Sequence, residues 1–170
     1  MLWRSANAKD MKTDLSPKKP SLTLRGIFRC MMESGYNPSF EDGFIRFAIE
    51  DNNGIVDYEN GILSVRILFS IDEEDYDLFL EASNLTMQKT ALAKAVILMD
   101  MESIMFSCES FCYTESEFRK FFPRMVESIT NALKAHRGQM RRLYHTVEAA
   151  STKFPAADEP AAGNSQKVLS

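Results

Sequence analysis

Three cysteines, two histidines, a run of carboxylates and a basic stripe are the groups in this 170-residue chain whose chemistry needs testing first. Cys108 and Cys112 lie four positions apart in a segment that reads as a strand. They share a face there but stand about 13 Å apart, too far for a disulfide or a common metal. With Cys30 the count is odd and no CxxC pair occurs, which favours buried thiols in a reducing cytoplasm over a disulfide framework. His136 and His145 are nine apart in a helical stretch, which at about 100° per residue puts them on opposite sides. Asp51-Asn52-Asn53-Gly54 has the composition of a calcium loop, but with Gly54 in sixth place the first ligand would be Ile49, and the pattern fails. The carboxylates of "DEEDYD", Asp72 to Asp77, could gather a cation, yet they equally suit the positive end of a helix dipole. No GxGxxG and no P-loop is present. The expectation is a non-enzyme with no catalytic residue, no metal ligand and no cofactor.

A basic stripe remains. Lys134, Arg137, Arg141 and Arg142 could touch nucleic acid, or they could be the solvated face of an amphipathic helix. The net charge of −4 favours the second reading. Charge is lopsided: Ser39 to Ala82 holds twelve acids against Arg46 and Arg66, whereas Glu115 to Thr146 holds seven Lys/Arg against three Glu. Two such regions attract one another or attract different partners.

The larger signal is apolar. In "ESIMFSCESFCYTESEF", Glu102 to Phe118, Ile104, Phe106, Cys108 and Cys112 point to one side of a strand. Met105, Phe111 and Tyr113 point to the other, where Ile62 and Leu68 from the outward side of a second strand would join them. Only one of these faces is needed for a core. The second is predicted to be a binding face for a polypeptide partner or a second copy of the chain.

Elements that could position these faces follow from periodicity. Leu24, Ile27, Phe28 and Met31 mark a first helix, stopped by Gly35 and Asn37-Pro38. "FIRFAIED", "IVDYE" and Ile62 to Ile71 alternate as three strands, with Asn53-Gly54 and Asn60-Gly61 as the turns between them. Asp72 is expected to cap a second helix whose apolar face would be Leu78, Phe79, Ala82 and Leu85. "AKAVILM" has the length and apolar density of a buried strand, a pattern a helix shares, with a turn at Asp100 to Ser103. Thr114 to Glu117 is a capping box opening a last helix of about seven turns. The order α-β(3)-α-β(2)-α implies an α+β fold, a five-stranded antiparallel sheet with helices mainly on one face. One domain is expected over 21–148, between flexible tails at 1–20 and 149–170. No apolar run of useful length follows Arg4, so no signal peptide is expected, and no stretch is long enough to span a membrane.

This order resembles a known family. A helix ending in "ESGYNP", the meander "FIRFAIEDNNGIVDYENGILSVRILFSID", then "LFLEASNLTMQKTALAKAVILMD" and "SIMFSCESFCYTESEFRKFFPRMVESI" look like the type III secretion chaperone-like fold. In particular they resemble the YbjN-like bacterial sensory-transduction regulators, over about Leu22 to Leu143. The resemblance implies a small non-enzymatic domain that often dimerises and, in the secretion chaperones, holds a partner polypeptide in extended form. It carries no catalytic residue to transfer. The expected function is a cytoplasmic protein-interaction module, chaperone-like or regulatory, using apolar contacts or strand addition at a sheet edge. The alternatives are a nucleic-acid-contacting regulator and a small-molecule sensor with a pocket between sheet and helices.

Overall fold

A computed structural model describes residues 21–98 and 102–153. The expected N-terminal tail, positions 154–170 of the expected C-terminal tail, and positions 100 and 101 of the expected turn at 100–103 lie outside those residues. Helix α1 (Leu24–Glu33) is followed by strands β1 (Ser39–Glu41), β2 (Phe44–Ile49), β3 (Asn52–Glu59) and β4 (Ile62–Ser70). A 3-10 turn at Glu73–Asp75 leads into α2 (Tyr76–Met87), then β5 (Lys94–Ile97), β6 (Ser103–Phe111) and the long α3 (Glu115–Lys153). The α+β class and the antiparallel sheet stand as expected, but the sheet has six strands, in the order β1-β2-β3-β4-β6-β5.

The added strand comes from a turn with ordinary hairpin chemistry. Asp42-Gly43 joins Glu41 to Phe44, with Gly43 at φ +87°. Asn60-Gly61 behaves as predicted, both residues having positive φ between Glu59 and Ile62. Asn53-Gly54 does not. The β2–β3 turn is Glu50-Asp51, and both Asn53 and Gly54 belong to β3. A turn at Asn53-Gly54 would leave β3 too short to pair with all of β2. The observed register sets Ile45 opposite Val56 and lays Phe47 across Gly54. Gly54 is there for closeness: a Cβ would stand 2.7 Å from Phe47 Cε1 and 2.8 Å from Ile49 Cδ1.

Alternation then builds one core. Ile45, Phe47, Ile49, Val56, Leu63, Val65, Ile67, Ile104, Phe106 and Cys108 are all buried on the same side of the sheet. They meet Ile27, Cys30 and Met31 of α1 and Phe118, Phe122, Met125, Ile129 and Leu133 of α3. Burying each such aliphatic or aromatic group contributes about 1.5–3 kcal/mol before chain entropy is counted. Helix α3 starts on the predicted capping box: the Glu117 amide donates to Thr114 Oγ1 at 3.1 Å, and Glu117 Oε2 accepts from the amides of Tyr113 (2.7 Å) and Thr114 (3.1 Å). It continues past residue 148 to Lys153.

Helix α2 differs from expectation. Asp72 makes no capping hydrogen bond, and the acidic run forms the 3-10 turn ahead of the helix. Its buried side is Ala82, Ser83 and Thr86. The two hydroxyls bond back to the carbonyls of Phe79 and Ala82, at 2.7 Å each, so small polar groups can lie in the interface with α3. His136 of α3 is buried there, its ring 5.5 Å from that of Phe79 and 5.2 Å from that of Phe106, with Nε2 3.3 Å from Ser83 Oγ.

Two expectations test this packing. Gly54→Ala forces a methyl against Phe47 and Ile49 and lowers stability by about 1–3 kcal/mol, whereas Gly138→Ala, with open space around it in α3, raises stability by up to about 1 kcal/mol. Denaturant midpoints of the two variants measure both. Burial lowers the pKa of His136, an effect that outweighs hydrogen bonding to the Phe79 backbone. The unfolded chain therefore binds one more proton than the fold once pH drops below about 6.5, and stability declines from there toward the lower folded-state value. Denaturation curves across about pH 7 to 5 should show this slope, and His136→Gln should flatten it.

Candidate functional site: the open face of the sheet and the groove beside the last helix

The groups examined first for chemistry are placed as structural groups. Cys30, Cys108 and Cys112 are free and buried. Burial raises all three thiols, Cys112 to about 11, so none supplies a thiolate nucleophile at neutral pH. His136 is buried while His145 is exposed, with Nδ1 3.6 Å from Glu148 Oε2. Among the described residues no cluster of His, Cys, Asp or Glu could hold a metal ion. No helix among them is long and apolar enough to cross a membrane.

The sheet face turned away from the helices carries all five residues predicted to bind a partner. Phe111 is 66% exposed, Leu68 43% and Ile62 42%; Met105 and Tyr113 are half-buried. The register divides them. Ile62 pairs with Phe111, whose ring stacks on Tyr113 with centroids 6.3 Å apart and planes 10° apart. Tyr113 in turn lies against Gly61 of the β3–β4 turn, where a Cβ would come within 2.6 Å of the ring. Leu68 pairs with Met105, and Met105 with Val96 of β5. Ile62 and Leu68 are six residues apart on β4, about 20 Å. The predicted face therefore carries two patches rather than a continuous surface.

A polar belt separates them. Asp57, Ser64, Arg66, Ser107 and Glu109 occupy the same face between the two patches. Arg66 donates to Asp57 at 2.6 Å and Lys94 lies 3.4 Å from Glu109. Ser64 Oγ and Arg66 Nε are buried with no hydrogen-bond partner among the described residues. Sequence reasoning missed three residues that enlarge the Leu68 patch. Phe44, Ile55 and Leu98 line a shallow depression of about 510 Å³ with Leu68 and Met105. Period-2 alternation assigns Phe44 and Ile55 to this face, so the signal was present in the strands.

The sheet edges offer less. Strand β1 has three residues and β5 four, and the Ala95 amide on the β5 edge already donates to Met87 Sδ at 3.0 Å. Short, partly occupied edges resist strand addition.

The basic stripe is also divided. Lys134 Nζ lies 3.3 Å from Glu50 Oε1, and Arg142 donates to Gln139 Oε1 at 3.4 Å. Arg137 and Arg141 instead stand at the rim of a groove of about 460 Å³ between α3, the start of α2 and the ends of β4 and β6. Its walls are largely aromatic, with Phe69, Phe79, Phe106, His136 and Tyr144. Hydrogen bonding to Asp75, helped by desolvation and by the charges of Asp75 and Asp72, pushes Tyr144 up to about 12, so its phenol stays protonated.

No protein-family model matches the chain, and no curated protein matches it in sequence. Solved structures do match in fold. YbjN from E. coli, described as a proposed transcription regulator, superposes with a TM-score of 0.59 over 69% of this chain and 94% of its own, at 11% sequence identity. An uncharacterized protein from Methanothermobacter thermautotrophicus gives a TM-score of 0.47 over 74% of this chain and 99% of its own, at 13% identity. What this chain shares with YbjN is the fold, an antiparallel sheet with its helices on one side, and in that sense it is YbjN-like.

Proposed function

We propose that the chain is a non-enzymatic protein-interaction module, chaperone-like or regulatory, that binds a polypeptide partner or a second copy of itself through the open face of its sheet. One observation carries this reading: large apolar side chains, Phe111 foremost, stand exposed on a sheet face that no described helix covers. Apolar groups gathered on one face gain by leaving water, and they do so by docking. The two patches set a requirement on the partner. An extended segment running along β4 would present apolar side chains about six residues apart, with polar groups between them for Asp57, Arg66 and Glu109. Its location would be the cytoplasm, where three unpaired buried thiols persist without oxidation.

The nucleic-acid reading has weaker support, because Lys134 and Arg142 are engaged within the chain and the four basic groups do not form one stripe.

Self-association and partner capture test the proposal together. Light scattering at the highest soluble concentration, and co-purification from the native host, should show a dimer or a defined polypeptide complex. Ile62→Ser/Phe111→Ser should abolish it while changing stability by no more than about 0.5 kcal/mol per site, as for surface positions. A wild-type chain that stays monomeric and alone, or association that survives the double substitution and Leu68→Ser/Met105→Ser alike, removes the open face from consideration.

A further inference from the structure

The groove beside α3 is separate from the open face, and its lining has a definite chemistry. Phe106, Ile104, Leu133 and His136 form a nearly sealed floor; Phe69, Phe79, Met140 and Tyr144 rise from it. The volume of about 460 Å³ lies within the range of about 300–1,000 Å³ common for small-ligand sites, which are apolar with a few convergent polar groups. Here those groups carry both signs. Asp75 is engaged with Tyr144. Arg137 and Arg141 stand one turn apart on α3 and exposed, with no ion-pair partner among the described residues. Residues i and i+4 on a helix present their heads to the same space, so two guanidiniums can share one carboxylate. No acid occurs on α3 between Glu127 and Glu148 to compete for them.

We propose that this groove is a binding site for a small aromatic carboxylate, its ring against Phe69, Phe79 and Met140 and its carboxylate between Arg137 and Arg141. The aromatic body follows from the walls, since ring edges and a thioether favour a ring over a flexible chain. The carboxylate follows from the two guanidiniums. Asp75, which lines the same groove, supplies a carboxylate for an ammonium as well, so a free aromatic acid and an aromatic amino acid share the required chemistry.

The test is a methyl-NMR titration of the full chain with 3-phenylpropanoate, phenylalanine and the uncharged 3-phenylpropanamide. Met140, Leu133 and Ile104 should shift with either acid, while Leu68, Met105 and Ile62 on the open face should not. The amide should bind at least about tenfold more weakly, the loss expected when charged hydrogen bonds are removed. Arg137→Gln/Arg141→Gln, both solvent-exposed sites, should weaken the acids by a similar factor with the circular dichroism unchanged. Tighter binding of phenylalanine than of 3-phenylpropanoate would assign the ammonium to Asp75, and the reverse order would assign a free acid; both support the site. No shift with any acid overturns the proposal, as do shifts confined to the open face, or acids and amide binding alike. The partner-binding role of the open face stands or falls on its own measurements, because the groove titration does not depend on it.

Discussion

The pairing of β4 with β6 is the constraint on which the rest of the structure depends. Nine consecutive residues of each strand are in register, from Ile62 opposite Phe111 to Ser70 opposite Ser103, across 32 residues of intervening chain. This ladder joins the β1–β4 meander to the β5–β6 hairpin, and it fixes the faces of both. Side chains alternate with a period of two, so a slip of one residue would carry Leu63, Val65 and Ile67 out of the core and bring Ser64 and Arg66 in. Hydrophobic burial therefore specifies the register strongly. The open face inherits that register without having selected it: Ile62 meets Phe111, and Leu68 meets Met105, because their neighbours are committed to the core.

Coverage of the inner face also has one main agent. Helix α3 reaches β6 and β4 and packs against both α1 and α2. Its start is held by the Thr114–Glu117 capping box, and its flank is tied to α1 by ion pairs from Arg119 to Glu33 and from Arg29 to Glu115. Those pairs are substantially exposed, so each is worth little, about 0–1 kcal/mol. Their effect is directional. They orient α1 beside α3 over the inner face and leave the outer one bare. The three α-helices among the described residues are thus all used to seal the same side.

Much of this was legible because alternation and capping are local. Ile45, Phe47 and Ile49, then Leu63, Val65 and Ile67, declare one face by spacing alone, and Thr114 with Glu117 declares a helix start. What was not legible depends on comparing registers. Asn53-Gly54 has the stronger turn chemistry, yet the chain turns at Glu50-Asp51, because a longer β2–β3 ladder and the fit of Phe47 over Gly54 outweigh a local preference. Asp42-Gly43 was the opposite case, a sound turn signal whose partner strand is only three residues long. The five residues proposed to meet a partner do share one face, but they stand there as two patches. Parity tells which way a side chain points, but the 20 Å between Ile62 and Leu68 appears only when distance along the strand is counted.

The uneven charge of the sequence finds its meaning in which groups remain unpaired. Lys134 reaches Glu50, Arg66 reaches Asp57 and Lys94 reaches Glu109, so part of the acidic sheet region is answered within the chain. Exposed pairs of this kind add little to stability, and salt screens them. They act instead by subtraction. Each basic group that finds an internal partner is less free to meet a ligand, and with Lys134 on Glu50 and Arg142 on Gln139 the stripe of four reduces to Arg137 and Arg141 at an aromatic groove. The same subtraction works on the open face, where the paired charges of the belt leave Phe111, Ile62 and Leu68 as the groups with most to gain from contact. Pairing inside the molecule thus limits which groups another molecule could meet, and it leaves the proposed partner face and the proposed groove site on opposite sides of one sheet.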